Sequence, residues 1–156
     1  MKLISIDPGP EQSAFVAIEG GKITDHGIVP NPVMREFFKA RLTFLTADYL
    51  AIEMIACYGM PVGRETFDTC RWIGRFQEAW ERNDCRGRVE SKLVYRRDIK
   101  IHLCGSMKAK DGNIRQALLD RWGKQGTKKE PGPTYGISSH EWAALAVATY
   151  FLDTKK

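Results

Sequence analysis

Two acidic residues lie close to the ends of apolar segments. Asp7 closes the run from Leu3 to Ile6, and Glu53 closes a second apolar run that begins at Tyr49. An ionised carboxylate at a buried position costs several kcal/mol unless a cation compensates it. Carboxylate oxygens are the ligands that hard divalent cations prefer. The two acids therefore predict a shared metal ion, provided that neighbouring strands carry them.

Simpler interpretations of both acids remain open at this point. Asp7 could merely end its strand and cap the Pro8-Gly9 turn, since aspartate favours such turns. Glu53 could be an edge acid that faces water. A metal site needs further ligands, and a charged substrate needs complementary side chains nearby, so the rest of the sequence decides between these interpretations.

Length and composition favour one compact unit. The chain has 156 residues, 43% of them hydrophobic, which suits a single domain spanning residues 1–156. Its formal net charge of +5 makes a polyanionic partner plausible, although charge alone is weak support. We expect no signal peptide and no membrane span, and hence a soluble, cytoplasmic protein.

The cysteines predict no structural metal site or disulfide. None of the four stands in a CxxC pair, and most have apolar neighbours, which favours reduced thiols that fill the core. They are Cys57, Cys70, Cys85 and Cys104.

The apolar periodicity predicts an α/β chain. Gly20-Gly21 lies between two alternating runs, which is typical of a hairpin turn. A Gly-, Lys- and Pro-rich loop follows residue 122. In chain order we expect strands at 1–7, 13–19, 22–29, 48–56 and 88–97, and helices at 33–41, 67–80, 113–122 and from 138 or 139 to 153.

Four sequence motifs follow one another along the chain. They are Ile-Ser-Ile-Asp7-Pro-Gly, Leu-Ala-Ile-Glu53, Gly105-Ser-Met-Lys-Ala-Lys110 and His140-Glu-Trp-Ala-Ala-Leu-Ala146. In this order they resemble RuvC-type Holliday-junction resolvases of the RNase H-like superfamily, and the resemblance covers nearly the whole chain, from about residue 3 to residue 152. It implies an RNase H-like α/β fold with a mixed central sheet of about five strands and helices on both faces.

The resemblance implies hydrolysis of DNA phosphodiesters with two Mg²⁺ ions, for which Mn²⁺ could substitute. Asp7 and Glu53 match the first two metal-binding acids of the family. Many relatives place two more acids one helical turn apart in the last helix, where this chain has His140 and Ala143. Some relatives carry His at the first position, so His140 is a candidate ligand, whereas Ala143 is a loss.

Glu141 is the remaining candidate for the missing acid. It follows His140 directly and would point about 100° away on an ideal helix, so it can bind metal only if the first turn is irregular. Its alternative role is to stabilise the helix N-terminus, and His140 could be a capping or surface residue.

Further residues match positions that contact DNA in the family. Lys100 and one of Lys108 or Lys110 match lysines close to the scissile phosphate, although each could be a solvated surface lysine. Tyr58, with Met60 as a lesser candidate, would have to open the junction centre. Asp111 is interpreted as a helix cap.

The partners implied are branched DNA, especially four-way junctions, and a second copy of the chain. A two-fold homodimer suits two symmetric cuts, and the helix at 67–80 is the candidate interface, because Trp72 and Trp80 cannot both face one core. Two alternatives remain open. One is a related nuclease that acts on structured or ribosomal precursor RNA, and the other is a junction-binding protein with impaired catalysis.

Overall fold

The computed structural model describes residues 1–39, 47–82 and 91–155. These ranges contain five strands and five helices, and the last three helices follow one another with no strand between them. In chain order the elements are β1 (Lys2–Asp7), β2 (Gln12–Glu19), β3 (Lys22–Pro30), α1 (Asn31–Lys39), β4 (Tyr49–Met54), α2 (Arg64–Arg82), β5 (Lys92–Tyr95), α3 (Arg96–Cys104), α4 (Asp111–Trp122) and α5 (Glu141–Thr154).

The strands form one mixed sheet in the order β3-β2-β1-β4-β5. β1, β2 and β3 form an antiparallel meander, whereas β1, β4 and β5 run parallel. The carboxyl ends of the three parallel strands therefore meet at one edge of the sheet. The predicted fold class, a mixed sheet of about five strands, is confirmed.

Alternating side chains of the sheet bury two separate cores. Leu3 and Ala51 face a cluster built on α5, and Ile4 and Ile52 face a second cluster that includes Trp80 of α2. Because side chains alternate along a strand, neighbouring residues serve opposite faces. Helices cover both faces of the sheet, as predicted.

The β2–β3 hairpin is the predicted two-residue turn. Gly20 and Gly21 have φ values of 58° and 78°, and Glu19 pairs with Lys22 across them. Such left-handed turns match the twist of the strands and favour glycine. The hairpin extends the sheet away from the parallel strands.

The predicted strand at 88–97 is too long at its carboxyl end. β5 ends at Tyr95, and Arg96 already begins α3, so strand passes into helix without a loop. Basic and apolar residues alternate up to Arg97, and this pattern fits a strand as well as the start of a helix. Residues 88–90 lie outside the described ranges, as do the predicted end of α1 at residues 40–41 and Cys85.

The predicted inward face of α2 and the reason given for a dimer both need correction. Phe67 is 62% exposed rather than buried, whereas Trp80 is fully buried. Trp72 packs partly buried against the same cluster as Trp80, and Arg75 lies 4.6 Å from the centre of its ring. Both tryptophans therefore do face one core, and Trp72 does not by itself call for a partner.

None of the helices in the described ranges is both long enough and apolar enough to cross a membrane.

Candidate active site at the carboxyl edge of the sheet

Asp7 and Glu53 lie side by side at the carboxyl edge of the parallel strands. Ile6 of β1 pairs with Ile52 of β4, so the residues that follow them occupy adjacent positions. Both acids are on the α5 side of the sheet, because they are two residues beyond Ser5 and Ala51 on their strands. Their side chains are 15% and 14% exposed.

Arg96 brings a positive charge to the same edge. It follows β5 directly, and its guanidinium lies 3.4 Å from Oε2 of Glu53 and 2.6 Å from Oδ1 of Asp111. None of the four sequence motifs includes Arg96, so they do not predict it as a site residue. Its position directly after β5, the third parallel strand, could have identified it. The prediction of a strand that continued to residue 97 concealed this position.

Asp111 does not cap α4. The residue at the N-cap position is Lys110, whose backbone N–H donates to Oδ1 of Asn113 at 2.9 Å. Asp111 is the first helical residue, and its carboxylate binds Arg96 instead. The cap predicted for Asp111 is therefore wrong, and the residue belongs to the acidic edge.

His140 lies against Asp7. Its Nδ1 is 2.9 Å from Oδ2 of Asp7, and its side chain is 72% exposed. α5 begins only at Glu141, later than predicted, because Ser139 adopts a left-handed backbone with φ of 44°. This irregular turn delivers the His140 imidazole to the end of β1.

Glu141 is turned into a different network. The residue is buried, and its Oε1 lies 2.8 Å from Nδ1 of His26 on β3. Its Oε2 accepts hydrogen bonds from the backbone N–H of Ser138 at 2.7 Å and from the Ser138 hydroxyl at 3.0 Å. The structure thus gives both carboxylate oxygens partners away from Asp7, and this arrangement favours the alternative role at the helix N-terminus.

A second buried network holds the turn that follows Asp7. Asn31, fully buried, donates through Nδ2 to the carbonyl of Gly9 at 2.8 Å, and the Ser13 hydroxyl donates to Asn31 at 2.6 Å. A Cβ atom at Gly9 would clash with the backbone carbonyl oxygen of Gln12. Glycine is therefore required here, and the turn fixes the direction in which Asp7 leaves the strand.

A cleft of about 950 Å³ opens beside these residues. Its lining includes Asp7 and His140, the turn from Pro8 to Gln12, and five residues of the first turns of α2: Arg64, Glu65, Thr66, Asp68 and Thr69. Glu53 does not line this cleft, so the opening leads to Asp7.

Burial dominates the electrostatics of both acids. It raises the pKa of Asp7 above its ordinary value although His140 and Arg96 oppose the shift. It raises the pKa of Glu53 from 4.5 to about 7, again against the attraction of Arg96 and with repulsion from Asp7 added. Carboxylates with such raised pKa values are typical of sites that bind cations or transfer protons.

The raised pKa of Glu53 predicts a pH-dependent stability. Between about pH 4.5 and about 7 the folded state keeps a proton that the unfolded chain has lost, so the free energy of unfolding falls as pH rises. Glu53→Gln stays neutral and should gain about 1–3 kcal/mol relative to wild type between pH 5 and pH 8. Urea unfolding in EDTA at both pH values measures this.

A matched control is Glu19→Gln, which removes a carboxylate that is 58% exposed. Its stability difference from wild type should not change between pH 5 and pH 8. If the Glu53→Gln curve ran parallel to that of wild type, Glu53 would not hold the extra proton.

The residues present offer fewer ligands than a pair of divalent cations needs. Asp7 and Glu53 have carboxylate oxygens, the ligand type that Mg²⁺ prefers, and His140 lies against Asp7. A pair of ions needs several convergent acids. Within residues 1–39, 47–82 and 91–155, no three His, Cys, Asp or Glu side chains converge into a group that could hold a metal ion.

The predicted DNA-contacting residues lie on separate elements. Lys100 is half-buried on α3, and Lys108 and Lys110 are exposed in the segment before α4. Tyr58 is 64% exposed after β4, with φ of 45°, and Met60 is 72% exposed in the same loop. Lys110 precedes Asp111 in the chain, and the structure shows no contact of Lys110 or Tyr58 with Asp7 or Glu53.

The fold matches two solved structures over nearly its whole length. Thermus thermophilus RuvC superimposes with a TM-score of 0.72 and 16% identity, covering 98% of this chain and 96% of that one. T. thermophilus RuvC in complex with a Holliday junction substrate gives a TM-score of 0.73 and 15% identity, covering 97% of this chain and 93% of that one. No protein-family model matches the chain, and no curated protein matches it in sequence.

The sheet order, the helices on both faces and the carboxylates at the parallel edge define an RNase H-like α/β fold. Within that class the chain has the fold of RuvC. The resemblance that the four sequence motifs indicated is confirmed at the level of the fold.

Proposed function

We propose that this protein is a metal-dependent, structure-specific endodeoxyribonuclease that resolves four-way DNA junctions by symmetric phosphodiester hydrolysis. The observation that carries the proposal is the position of Asp7 and Glu53, adjacent at the open edge of a RuvC fold. A solved RuvC with this fold holds a Holliday junction substrate, which supports the same class of ligand here.

The site residues have distinct tasks in this proposal. Asp7 and Glu53 would hold Mg²⁺, which when bound supplies an activated water and compensates charge at the phosphate. The His140 imidazole fixes the orientation of the Asp7 carboxylate through its 2.9 Å contact. The buried turn behind Gly9 limits movement of the same strand end, so that the carboxylates are arranged before the substrate arrives.

The substrate would be held by charge and opened by an exposed side chain. Lys100, Lys108 and Lys110 would neutralise phosphates near the acidic edge, and Tyr58 would insert at the junction centre. A four-way junction has two equivalent strands to cut, so a two-fold homodimer would place one site at each. Exposed Phe67, rather than Trp72, is the better candidate for a dimer contact on α2.

The experiment that tests the function is cleavage of a synthetic four-way junction with and without Mg²⁺. We expect Mg²⁺-dependent cuts at symmetric positions in two opposite strands, and little cleavage of a duplex of matched length. A structured RNA run in parallel separates the related RNA nuclease: preferential cleavage of the RNA would reassign the substrate.

Specific observations keep a second candidate function open, that of a junction-binding protein without catalysis. Ala143 replaces an acid common in relatives, Glu141 is occupied by His26 and Ser138, and Arg96 binds one of the two remaining metal-binding acids. Tight junction binding in the same assay, with no cleavage in Mg²⁺ or Mn²⁺, would establish it.

The lysines give a prediction that does not depend on catalysis. Lys108→Ala and Lys110→Ala should each weaken junction binding at every sequence and reduce the slope of log K against log salt by about 1, because each phosphate contact releases about one counterion. Fluorescence anisotropy over a salt series measures the slope.

Lys22→Ala is the charge-matched control, since Lys22 is exposed at the start of β3, at the opposite end of the sheet from Asp7. It should leave the slope nearly unchanged. Equal slopes for Lys22→Ala and Lys110→Ala would show that Lys110 is an ordinary surface lysine.

A further inference from the structure

Arg96 places a fixed positive charge beside the acids that are proposed to bind metal. Its guanidinium is 29% exposed and bridges the carboxylates of Glu53, at 3.4 Å, and Asp111, at 2.6 Å. Glu53 and Asp111 also hold Arg96 firmly in its charged form: burial lowers its pKa, but the nearby acids outweigh that and raise it. The positive charge is therefore a permanent part of the site.

The charges at this edge balance for one divalent ion. Asp7, Glu53 and Asp111 carry three negative charges when ionised, and Arg96 carries one positive charge, so the net charge is −2. One divalent cation neutralises that charge, whereas two would leave an excess of +2 beside Asp7 and Glu53, which are largely buried, while Asp111 is 83% exposed. Uncompensated charge of this kind is costly where water is limited.

Two features of this chain reduce the negative charge that is available to metal ions: an acid is missing at Ala143, and Arg96 adds a positive charge. α5 offers Ala143 in place of a carboxylate, and both oxygens of Glu141 are bound elsewhere. A site with fewer acids holds fewer metal ions. Arg96 adds to this effect because it already occupies one carboxylate oxygen of Glu53.

We propose that Arg96 is a built-in cation that takes the place of a second divalent ion, so that this chain binds a single divalent ion at Asp7 and Glu53. This inference rests on the proposed metal-dependent function and deepens it. The guanidinium neutralises part of the acidic edge permanently, and its remaining N–H groups can donate to a phosphate oxygen.

The test is a Mn²⁺ titration of the metal-free chain, without DNA, read by the electron paramagnetic resonance of free Mn²⁺. Wild type should bind one ion per chain, and Asp7→Asn should lose it. Arg96→Gln makes the site more negative and should bind the first ion about tenfold more tightly or better, and should take up a second. Arg96→Lys keeps the charge and should still bind one.

Two controls separate the charge balance at this site from general effects. Arg97→Gln removes the same charge from an exposed neighbour and should change Mn²⁺ affinity by less than about twofold. The double variant Arg96→Gln/Asp111→Asn restores the net charge of −2, so it should return to one ion and to near wild-type affinity.

Three results would each overturn the proposal. Wild type could bind two Mn²⁺ ions, neither wild type nor any variant could bind Mn²⁺, or Arg96→Gln could bind it with the same affinity as Arg97→Gln. Junction cleavage by the same preparations is scored separately. One ion bound without cleavage would count against the proposed nuclease function and leave the assignment of Arg96 standing.

Discussion

Asp7→Asn is expected to abolish Mg²⁺-dependent cleavage of a four-way junction while leaving the junction bound. Asp7 is largely buried beside Glu53 and contacts His140, so the substitution removes a cation ligand and not a phosphate contact. Loss of several kcal/mol of charge stabilisation corresponds to a decrease of about a thousandfold or more in cleavage rate. Junction affinity should stay the same or rise slightly, because one negative charge near the DNA is gone.

Glu53→Gln should give the same result, since both acids serve one site. The control is again Glu19→Gln, which alters an exposed carboxylate at the far end of β2. Single-turnover cleavage and anisotropy on one labelled junction measure both quantities for all variants. Cleavage retained by Asp7→Asn or Glu53→Gln would place the chemistry elsewhere on the protein.

The sheet was predictable because its signals are local. Apolar alternation marks β1 and β2, two glycines mark the hairpin, and an apolar run marks β4. The position of each acid close to the end of a strand was predictable for the same reason. That β1 and β4 are parallel neighbours was a condition of the predicted site, and the structure meets it.

The rest of the site depends on contacts between residues distant in sequence. His26 and Glu141 are separated by 115 positions, and Arg96 meets Glu53 across 43, so no periodicity reveals either pair. Helix α3 was not predicted, because alternating basic and apolar residues up to residue 97 fit a strand as well as an amphipathic helix, and the residues after them were expected to lead into a loop. That error concealed Arg96 at the edge of the sheet.

The second large effect is a contrast between the neighbours His140 and Glu141. Substitution of Glu141 should lower stability, whereas substitution of His140 should lower the cleavage rate. Glu141→Ala leaves the Ser138 N–H, the Ser138 hydroxyl and His26 without their buried acceptor. Ser138 is exposed and the His26 side chain is 25% exposed, so water can replace part of the lost hydrogen bonding, and we expect a cost of about 1–3 kcal/mol in total. For a chain of this length that corresponds to a fall in melting temperature of about 3–10 °C.

His140→Ala should leave stability nearly unchanged, because the side chain is 72% exposed. It should nevertheless lower cleavage about ten- to a hundredfold, as expected when a group that orients a metal ligand is lost. The two variants therefore separate a structural residue from a residue of the site within one pair of measurements, thermal melting and single-turnover cleavage.

Glu141→Gln and His26→Gln refine the contrast. Both keep a hydrogen-bonding side chain of similar length, so each should recover part of the stability that Glu141→Ala loses, and at 25 °C each should cleave within about tenfold of wild type. A Glu141→Gln protein with wild-type melting temperature but cleavage reduced by orders of magnitude would reverse this assignment. Glu141 would then bind the metal ion, and its contacts with His26 and Ser138 would have to break when the ion enters.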